Sequence, residues 1–230
     1  MPDTRPLTPL MLFAAGFGTR MRPLTDARPK PLIEVAGRTL LDRALDLARA
    51  GGTGPVVVNT HYLGGMIADH LAGQNVAISD ESDLILETGG GLKRALPLLG
   101  AGPVLTLNPD VIWTGPNPLA ALRAAWDPAR MDALLMLVPP AQTRGRMGGG
   151  DFSLDGAGRI ARKGDLVYGG AHLLNPDRLA GISDRVFSLN LVWDRLIAEG
   201  RAFGILHPGE WCDLGRPETI PLAEAMLHGG

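Results

Sequence analysis

Four charged residues and one glycine loop carry the chemistry open to this chain. The loop is Gly16-Phe17-Gly18-Thr19-Arg20, directly after the apolar run LMLFAA, and Lys30 follows it, framed as Pro29-Lys30-Pro31. Glycine lets a backbone approach a phosphate closely and turn its N–H groups toward it as donors. Arg20 and Lys30 add positive charge to whatever those N–H groups hold. A strand end, a glycine turn and two cations make a site for a polyphosphate. The acids are Asp110, in Asn108-Pro109-Asp110 after an apolar run, and Asp213, in Trp211-Cys212-Asp213-Leu214-Gly215. Two aspartates far apart in sequence can hold one Mg²⁺ across a cleft if their strands are neighbours. Displacement at phosphorus is helped mostly by positioning and by neutralising charge, which such a set supplies.

These groups need strands that end where they stand. Apolar runs predict strands over 10–15, 55–60, 76–79, 103–107 and 133–138. PVVVNT at 55–60 does not alternate, as expected of a strand covered on both faces. Between them lie helical patterns. Thr39 starts one, with Leu40, Leu41, Ala44, Leu45, Leu47 and Ala48 at helical spacing and Gly51-Gly52 as its stop. Others are expected over 62–71 and 118–126. Glu87-Thr88-Gly89-Gly90-Gly91 reads as a second glycine loop before a helix over 92–99. Strands alternating with helices argue for an open, mostly parallel α/β sheet with right-handed crossovers. Ligands then sit beyond the carboxyl ends of the strands, where both glycine loops and Asp110 fall.

The second half reads differently. Residues 144–150 (RGRMGGG) form a flexible loop, and 151–154 with 159–162 a hairpin. A strand over 166–174, a helix over 188–199 capped by Ser188, short strands over 203–207 and 210–214, and a closing helix over 217–227 follow. This half is expected to extend the same sheet and to supply a lid over the first.

Composition narrows the classes. The chain has 230 residues, a formal net charge of −2, one cysteine and five histidines. A near-neutral chain with no basic run gives no electrostatic case for nucleic acid or an anionic membrane. No apolar run approaches the length of a membrane span. Residues 1–8 lack the apolar stretch of a signal peptide and read as a flexible tail. A lone Cys212 excludes an intrachain disulfide framework and suits a reducing cytoplasm, and its expected place is the core. The histidines lack metal spacing.

GFGTRMRPLT followed by PKPLIEVAG resembles the opening of the sugar-1-phosphate nucleotidylyltransferases, the nucleotide-sugar pyrophosphorylases. ETGGGLKRALPLL, LNPD, GDF, YGGAHLLNP and WCDLGRPE match further along, so the resemblance runs from Leu12 to Glu218. The ETGGG motif and the compact length are most similar to the N-acetylmuramate-1-phosphate uridylyltransferases of cell-wall recycling. The resemblance implies a Rossmann-like nucleotidyltransferase fold, a mixed, mostly parallel sheet flanked by helices, and Mg²⁺. It implies transfer from an NTP to a sugar 1-phosphate, giving an NDP-sugar and pyrophosphate. One domain spans 1–230, with a nucleotide-binding half over 9–140 and a sugar-binding half over 141–230. The family's nucleotide loop falls on Ala15, Gly16, Gly18, Thr19 and Arg20, and its phosphate lysine on Lys30. Catalysis would rest on Arg20 and Lys30. The base-facing segment falls on Glu87, Thr88 and Gly89. Sugar contacts fall on Asn108, Asp151 and Gly170, and the metal aspartates on Asp110 and Asp213. Larger relatives add an oligomerisation domain, so a monomer or simple dimer is expected.

Two departures stand out. Pro109 replaces the usual glycine between Asn and Asp, which removes a backbone N–H. Ser188 stands where several relatives carry a lysine, leaving Arg162 or Lys163 to substitute. Three other readings compete. A dehydrogenase fingerprint needs a third glycine, where Met21 stands, and an acid closing the second strand, which PVVVNT lacks. The same enzyme class could instead use GTP with mannose 1-phosphate, or UTP or TTP with glucose 1-phosphate. A non-catalytic nucleotide-sugar sensor would explain Pro109 and Ser188. Taken singly, Lys30 could be a solvated surface lysine, Asp110 and Asp213 turn residues, and Asp151 part of a polar loop set up by the preceding glycines.

Overall fold

A computed structural model describes residues 7–229 of the chain. Most of the flexible tail expected over 1–8 lies outside that range, but Thr8 is already paired in the sheet. The main-sheet strands are Thr8–Phe13 (β1), Thr53–Thr60 (β2), Ala77–Asp80 (β3), Val104–Leu107 (β4), Ala133–Val138 (β5), Val167–Leu174 (β6) and Ala202–Leu206 (β7). Their spatial order is β7-β5-β6-β4-β1-β2-β3. Neighbours run parallel except β6, which is antiparallel to both β4 and β5. The sheet is therefore mixed and mostly parallel, and strands from the second half of the chain continue it.

Helices cover both faces of the sheet, Leu40–Ala50 (α1), Gly64–Leu71 (α2), Glu87–Leu99 (α3), Pro118–Ala125 (α4) and Leu189–Ala198 (α5), and a further one, Ile220–His228 (α6), packs outside them. Strand β5 shows why its sequence is apolar at every position. Leu134, Met136 and Val138 join the core that includes Leu41 and Leu45 of α1 and Leu119 and Leu122 of α4. Ala133, Leu135 and Leu137 join the opposite core, with Leu92 of α3 and Val192 of α5. Both faces are covered, so alternation is lost. Thr39 caps α1 as expected, its hydroxyl accepting from Asp42 N at 3.0 Å. Ser188 likewise caps α5.

Three expectations are corrected. The first strand is Thr8–Phe13, so Ala14 and Ala15 belong to the loop over the strand end. The ETGGG segment is not a loop: it forms the opening turns of α3. Its glycines are buried where helix and neighbouring chain come too close for a side chain. A Cβ on Gly89 would lie 2.3 Å from the Phe187 ring, and one on Gly90 2.1 Å from Arg185 O. Thirdly, a small sheet unforeseen in this form joins Val111–Trp113, Trp211–Asp213 and Thr143–Arg144. Helix α6 packs beneath it through Ala223 and Met226, against Ile112, Cys212 and Leu214. Cys212 is fully buried there, and burial pushes its thiol up to about 11.

Candidate active site

The glycine loop leaves β1 at the carboxyl end of the sheet. Gly18 is left-handed at φ +61°, and a Cβ there would lie 2.9 Å from Lys30 Cβ. Glycine at 18 thus lets the loop rest directly on the lysine stem. Thr25 Oγ1 donates to Gly18 O at 2.9 Å, and the Tyr62 hydroxyl donates to Thr25 O at 2.9 Å. Gly16 has open space around it, so its backbone faces the cleft. Lys30 is only 8% exposed, which removes the solvated-surface reading. Its Nζ donates to Asp110 Oδ2 at 2.6 Å.

Asp110 and Asp213 come together through the small sheet. Asp213 is the register partner of Val111, and Leu214 N donates to Asp110 O at 3.1 Å. Burial and the negative charge of Asp110 push the Asp213 carboxyl above its usual range, against the pull of Lys30, Arg20 and Arg146. Two carboxylates brought together beside a cavity lined by cations suit a hard divalent cation. Among the described residues no three His, Cys, Asp or Glu side chains group as a metal cage. A pair of carboxylates remains compatible with Mg²⁺, which is usually bound by one or two carboxylates plus substrate phosphates and water.

Three cavities meet at Asp110. The first, about 380 Å³, is lined by Ala14, Gly16, Gly18, Thr19, Arg20 and Lys30, with Pro109 on its wall. The second, about 230 Å³, is bordered by Ala15, Asn59, Glu81, Glu87, Thr88 and Asn108. The third, about 350 Å³, holds Asp213, Arg146, Asp151, Arg162, Gly170 and Trp193. Of the residues that the resemblance assigns to nucleotide, sugar or metal, Gly89 alone borders none of them. Its N–H is spent on Phe187 O at 2.8 Å. Glu87, at the cavity wall, takes an unusual φ of +59° for a residue with a side chain. Thr88 Oγ1 accepts from Leu189 N at 3.0 Å and ties α3 to α5.

Asn108 N donates to Gly170 O at 2.8 Å, and a Cβ on Gly170, at φ +87°, would lie 3.1 Å from Asn108 Cβ. This contact ties the end of β4 to the irregular middle of β6. Both Asp151 oxygens are engaged: Oδ1 accepts from Arg146 Nη2 at 2.7 Å and Oδ2 from Tyr168 N at 2.9 Å.

The sequence reading missed Asn59 and Glu81. Glu81 is fully buried, with Oε1 accepting from Asn59 Nδ2 at 2.7 Å and Oε2 from Leu86 N at 3.0 Å. Asn59 Oδ1 in turn accepts from Ala14 N at 2.7 Å. A buried carboxylate thereby fixes the start of the glycine loop and the entry to α3. Polar residues at the ends of two buried strands were the available signal. Beneath the third cavity, buried His172 lies between Thr106 Oγ1 at 2.6 Å and the Tyr168 hydroxyl at 2.7 Å, and burial pushes it down to about 3.

Known proteins resemble the chain over most of its length. Residues 10–174 match the MobA-like NTP transferase domain. The chain is 44% identical to an N-acetylmuramate alpha-1-phosphate uridylyltransferase of Caulobacter vibrioides, over 94% of this chain and 96% of that one. It is 37% identical to the protein of the same name from Neisseria meningitidis serogroup B, with the same coverage of 94% and 96%. The crystal structure of HddC from Yersinia pseudotuberculosis in complex with GMP-PN superposes with a TM-score of 0.77 at 20% identity, covering 96% of this chain and all of that one, a likeness of fold. Among the described residues no helix is long and apolar enough to cross a membrane. With its Rossmann-like sheet and MobA-like domain, the chain belongs to the sugar-1-phosphate nucleotidylyltransferase family and is a nucleotidyltransferase.

Proposed function

We propose that this enzyme transfers the uridylyl group of UTP to N-acetylmuramate 1-phosphate, releasing pyrophosphate, in the cytoplasmic recycling of cell-wall sugar. The observation that carries the reading is the convergence of Lys30, Asp110 and Asp213 at the mouth of the glycine loop. The names of the two relatives support this substrate pair. The third cavity supports an acidic sugar: Arg20, Arg146 and Arg162 border it, and N-acetylmuramate carries a carboxylate besides its phosphate.

In this reading the backbone at Ala15, Gly16, Gly18 and Thr19, with the Arg20 guanidinium, holds the β- and γ-phosphates. Glu87 and Thr88 face the base, and Gly89 supports them by letting α3 pack closely. Asn108 and the Gly170 backbone face the sugar. Lys30 exchanges its bond to Asp110 for the α-phosphate and the incoming phosphate. A sugar-phosphate oxygen then attacks the α-phosphorus in line, the bond to the bridging oxygen breaks, and pyrophosphate leaves with that electron pair. No general base is required, because the nucleophile is already an anion. Asp110 and Asp213 would hold Mg²⁺, which supplies charge neutralisation at the phosphates. Pro109 removes one N–H from this wall but leaves the Asp110 carboxylate facing Lys30.

The test is pyrophosphate release on mixing UTP, Mg²⁺ and a panel of sugar 1-phosphates, with GTP and TTP as competing nucleotides. Release with UTP and N-acetylmuramate 1-phosphate is expected. Release only with GTP and mannose 1-phosphate, or with glucose 1-phosphate, moves the substrate assignment. No release with any pair overturns the reading.

A further inference from the structure

The anionic nucleophile must be held on the sugar side of Asp110 and Asp213, and the third cavity offers few free cations for it. Ser188 brings none: its Oγ accepts from Asn190 N at 3.2 Å as the cap of α5. Lys163 does not border the cavity. Arg162 does, but its Nε donates to Asp194 Oδ1 at 2.7 Å and its Nη2 to Asn190 Oδ1 at 2.8 Å, and it lies over the Phe152 and Trp193 rings. Arg20 sits at the junction with the triphosphate cavity.

Arg146 is placed differently. Strand Thr143–Arg144 runs parallel to Trp211–Asp213, with Arg144 opposite Cys212. The chain stays pressed to that strand at Gly145, where φ is +71° and a Cβ would lie 2.6 Å from Asp213 O. The next residue thus enters the cavity beside the metal-side acids, and Asp213 senses the Arg146 charge. The guanidinium is held from one side only. Its Nη2 bonds Asp151 Oδ1, while its Nε is buried without a hydrogen-bond partner. Asp151 is itself fixed to β6 by Tyr168 N. Only one guanidinium nitrogen is bonded within the described residues and the side chain keeps 26% exposure at the cavity, so N–H donors remain there for a ligand.

We propose that Arg146 is a further catalytic residue, which binds the phosphate of the sugar 1-phosphate and aims its oxygen at the α-phosphorus, and that Asp151 is a positioning residue that orients Arg146. This rests on the transferase reading given above. It places Arg146, in place of Arg162 or Lys163, as the cation serving the sugar phosphate, and it moves Asp151 one step back from the sugar.

Steady-state kinetics with UTP and N-acetylmuramate 1-phosphate test it. Arg146→Gln should raise KM for the sugar phosphate about 10- to 100-fold, the range of one lost charge-assisted hydrogen-bonding group, with KM for UTP within about twofold. Arg146→Lys should recover part of the loss, and Arg146→Ala should be rescued by added guanidinium ion. Asp151→Asn should shift the same KM by less. An unfolded Arg146→Gln variant is recognised by its thermal melt, and the Arg146→Lys variant then carries the comparison. An unchanged sugar-phosphate KM, or an equal rise in both KM values, overturns the assignment while the reaction stands. If the unaltered enzyme turns over no sugar 1-phosphate, the reaction falls and the assignment with it.

Discussion

Lys30 Nζ and Asp110 Oδ2 lie 2.6 Å apart across a sequence separation of 80 residues, with the lysine side chain 10% exposed and the aspartate 33%. An ion pair this enclosed keeps each charge balanced until substrate arrives. The contact joins two short segments, Lys30–Leu32 and Asn108-Pro109-Asp110. In the proposed reaction Mg²⁺ on Asp110 would release the lysine from this bond and free its full charge for the phosphates.

Removing the lysine tests this directly. Lys30→Ala should lower turnover by about 10²-fold or more, the cost of deleting one preorganised charge donor. The loss should fall on kcat more than on KM for UTP, because in the proposed reaction the Gly16 to Arg20 loop would still hold the β- and γ-phosphates. Near-normal turnover measured by pyrophosphate release would take Lys30 out of the mechanism.

The acids make a separate prediction. In the unaltered protein, UTP with Mg²⁺ should raise the melting temperature more than UTP alone, because a ligand bound only by the folded state adds stability by mass action. Asp110→Asn and Asp213→Asn should each remove the Mg²⁺-dependent part and nearly abolish activity. A full Mg²⁺ response in both variants would move the metal to other residues.

Much of this arrangement was readable in the sequence, and the rest failed for physical reasons. Strand β5 and helix α1 were legible because two-face burial and the Thr39 cap leave strong local patterns. Asp110 and Asp213 were identifiable, but their meeting depends on Val111–Trp113 and Trp211–Asp213, strands too short to show a period. Glu87 to Gly91 read as a loop because glycine disfavours helix in isolation. Here the close approach of Phe187, Arg185 and Glu81 leaves no room for side chains, and packing overrides propensity. Asn59 and Glu81 gave only the weak signal of polar residues at strand ends, outside any glycine motif; only the fold shows that one buried carboxylate fixes two loops.

The α3 glycines therefore predict a stability effect. Gly90→Ala would set a methyl group 2.1 Å from Arg185 O, so backbone must move. Overpacking of this kind costs about 1–3 kcal/mol. For a chain of this size that is a fall in Tm of roughly 2–12 °C. Gly73→Ala is a useful contrast: it has open space but a φ of +77°, so its cost is conformational and local. A Gly90→Ala protein as stable as the unaltered one would mean the segment at Arg185 yields freely.

Asp132 gives a pH prediction far from the chemistry. Burial pushes its carboxyl up, but Arg201, Arg178 and Asn175 outweigh that and hold it well below the ordinary 3.8. Arg201 Nε donates to Oδ2 at 2.8 Å, Asn175 Nδ2 to Oδ1 at 2.9 Å, and Asp132 N is itself bound to Arg201 O at 2.9 Å. A carboxyl depressed in the folded state adds stability that is fully present above 3.8 and is lost as pH falls below it toward the folded value. Asp132→Asn should therefore destabilise at pH 7 by about 1.5–3 kcal/mol, the worth of hydrogen bonds to a charged group. The gap between the two melting curves should shrink as pH falls from about 4 toward 2, because the unaltered protein is then losing the same contribution. A gap that is constant from neutral to acid pH would show that the Asp132 cluster acts through packing and not through its charge.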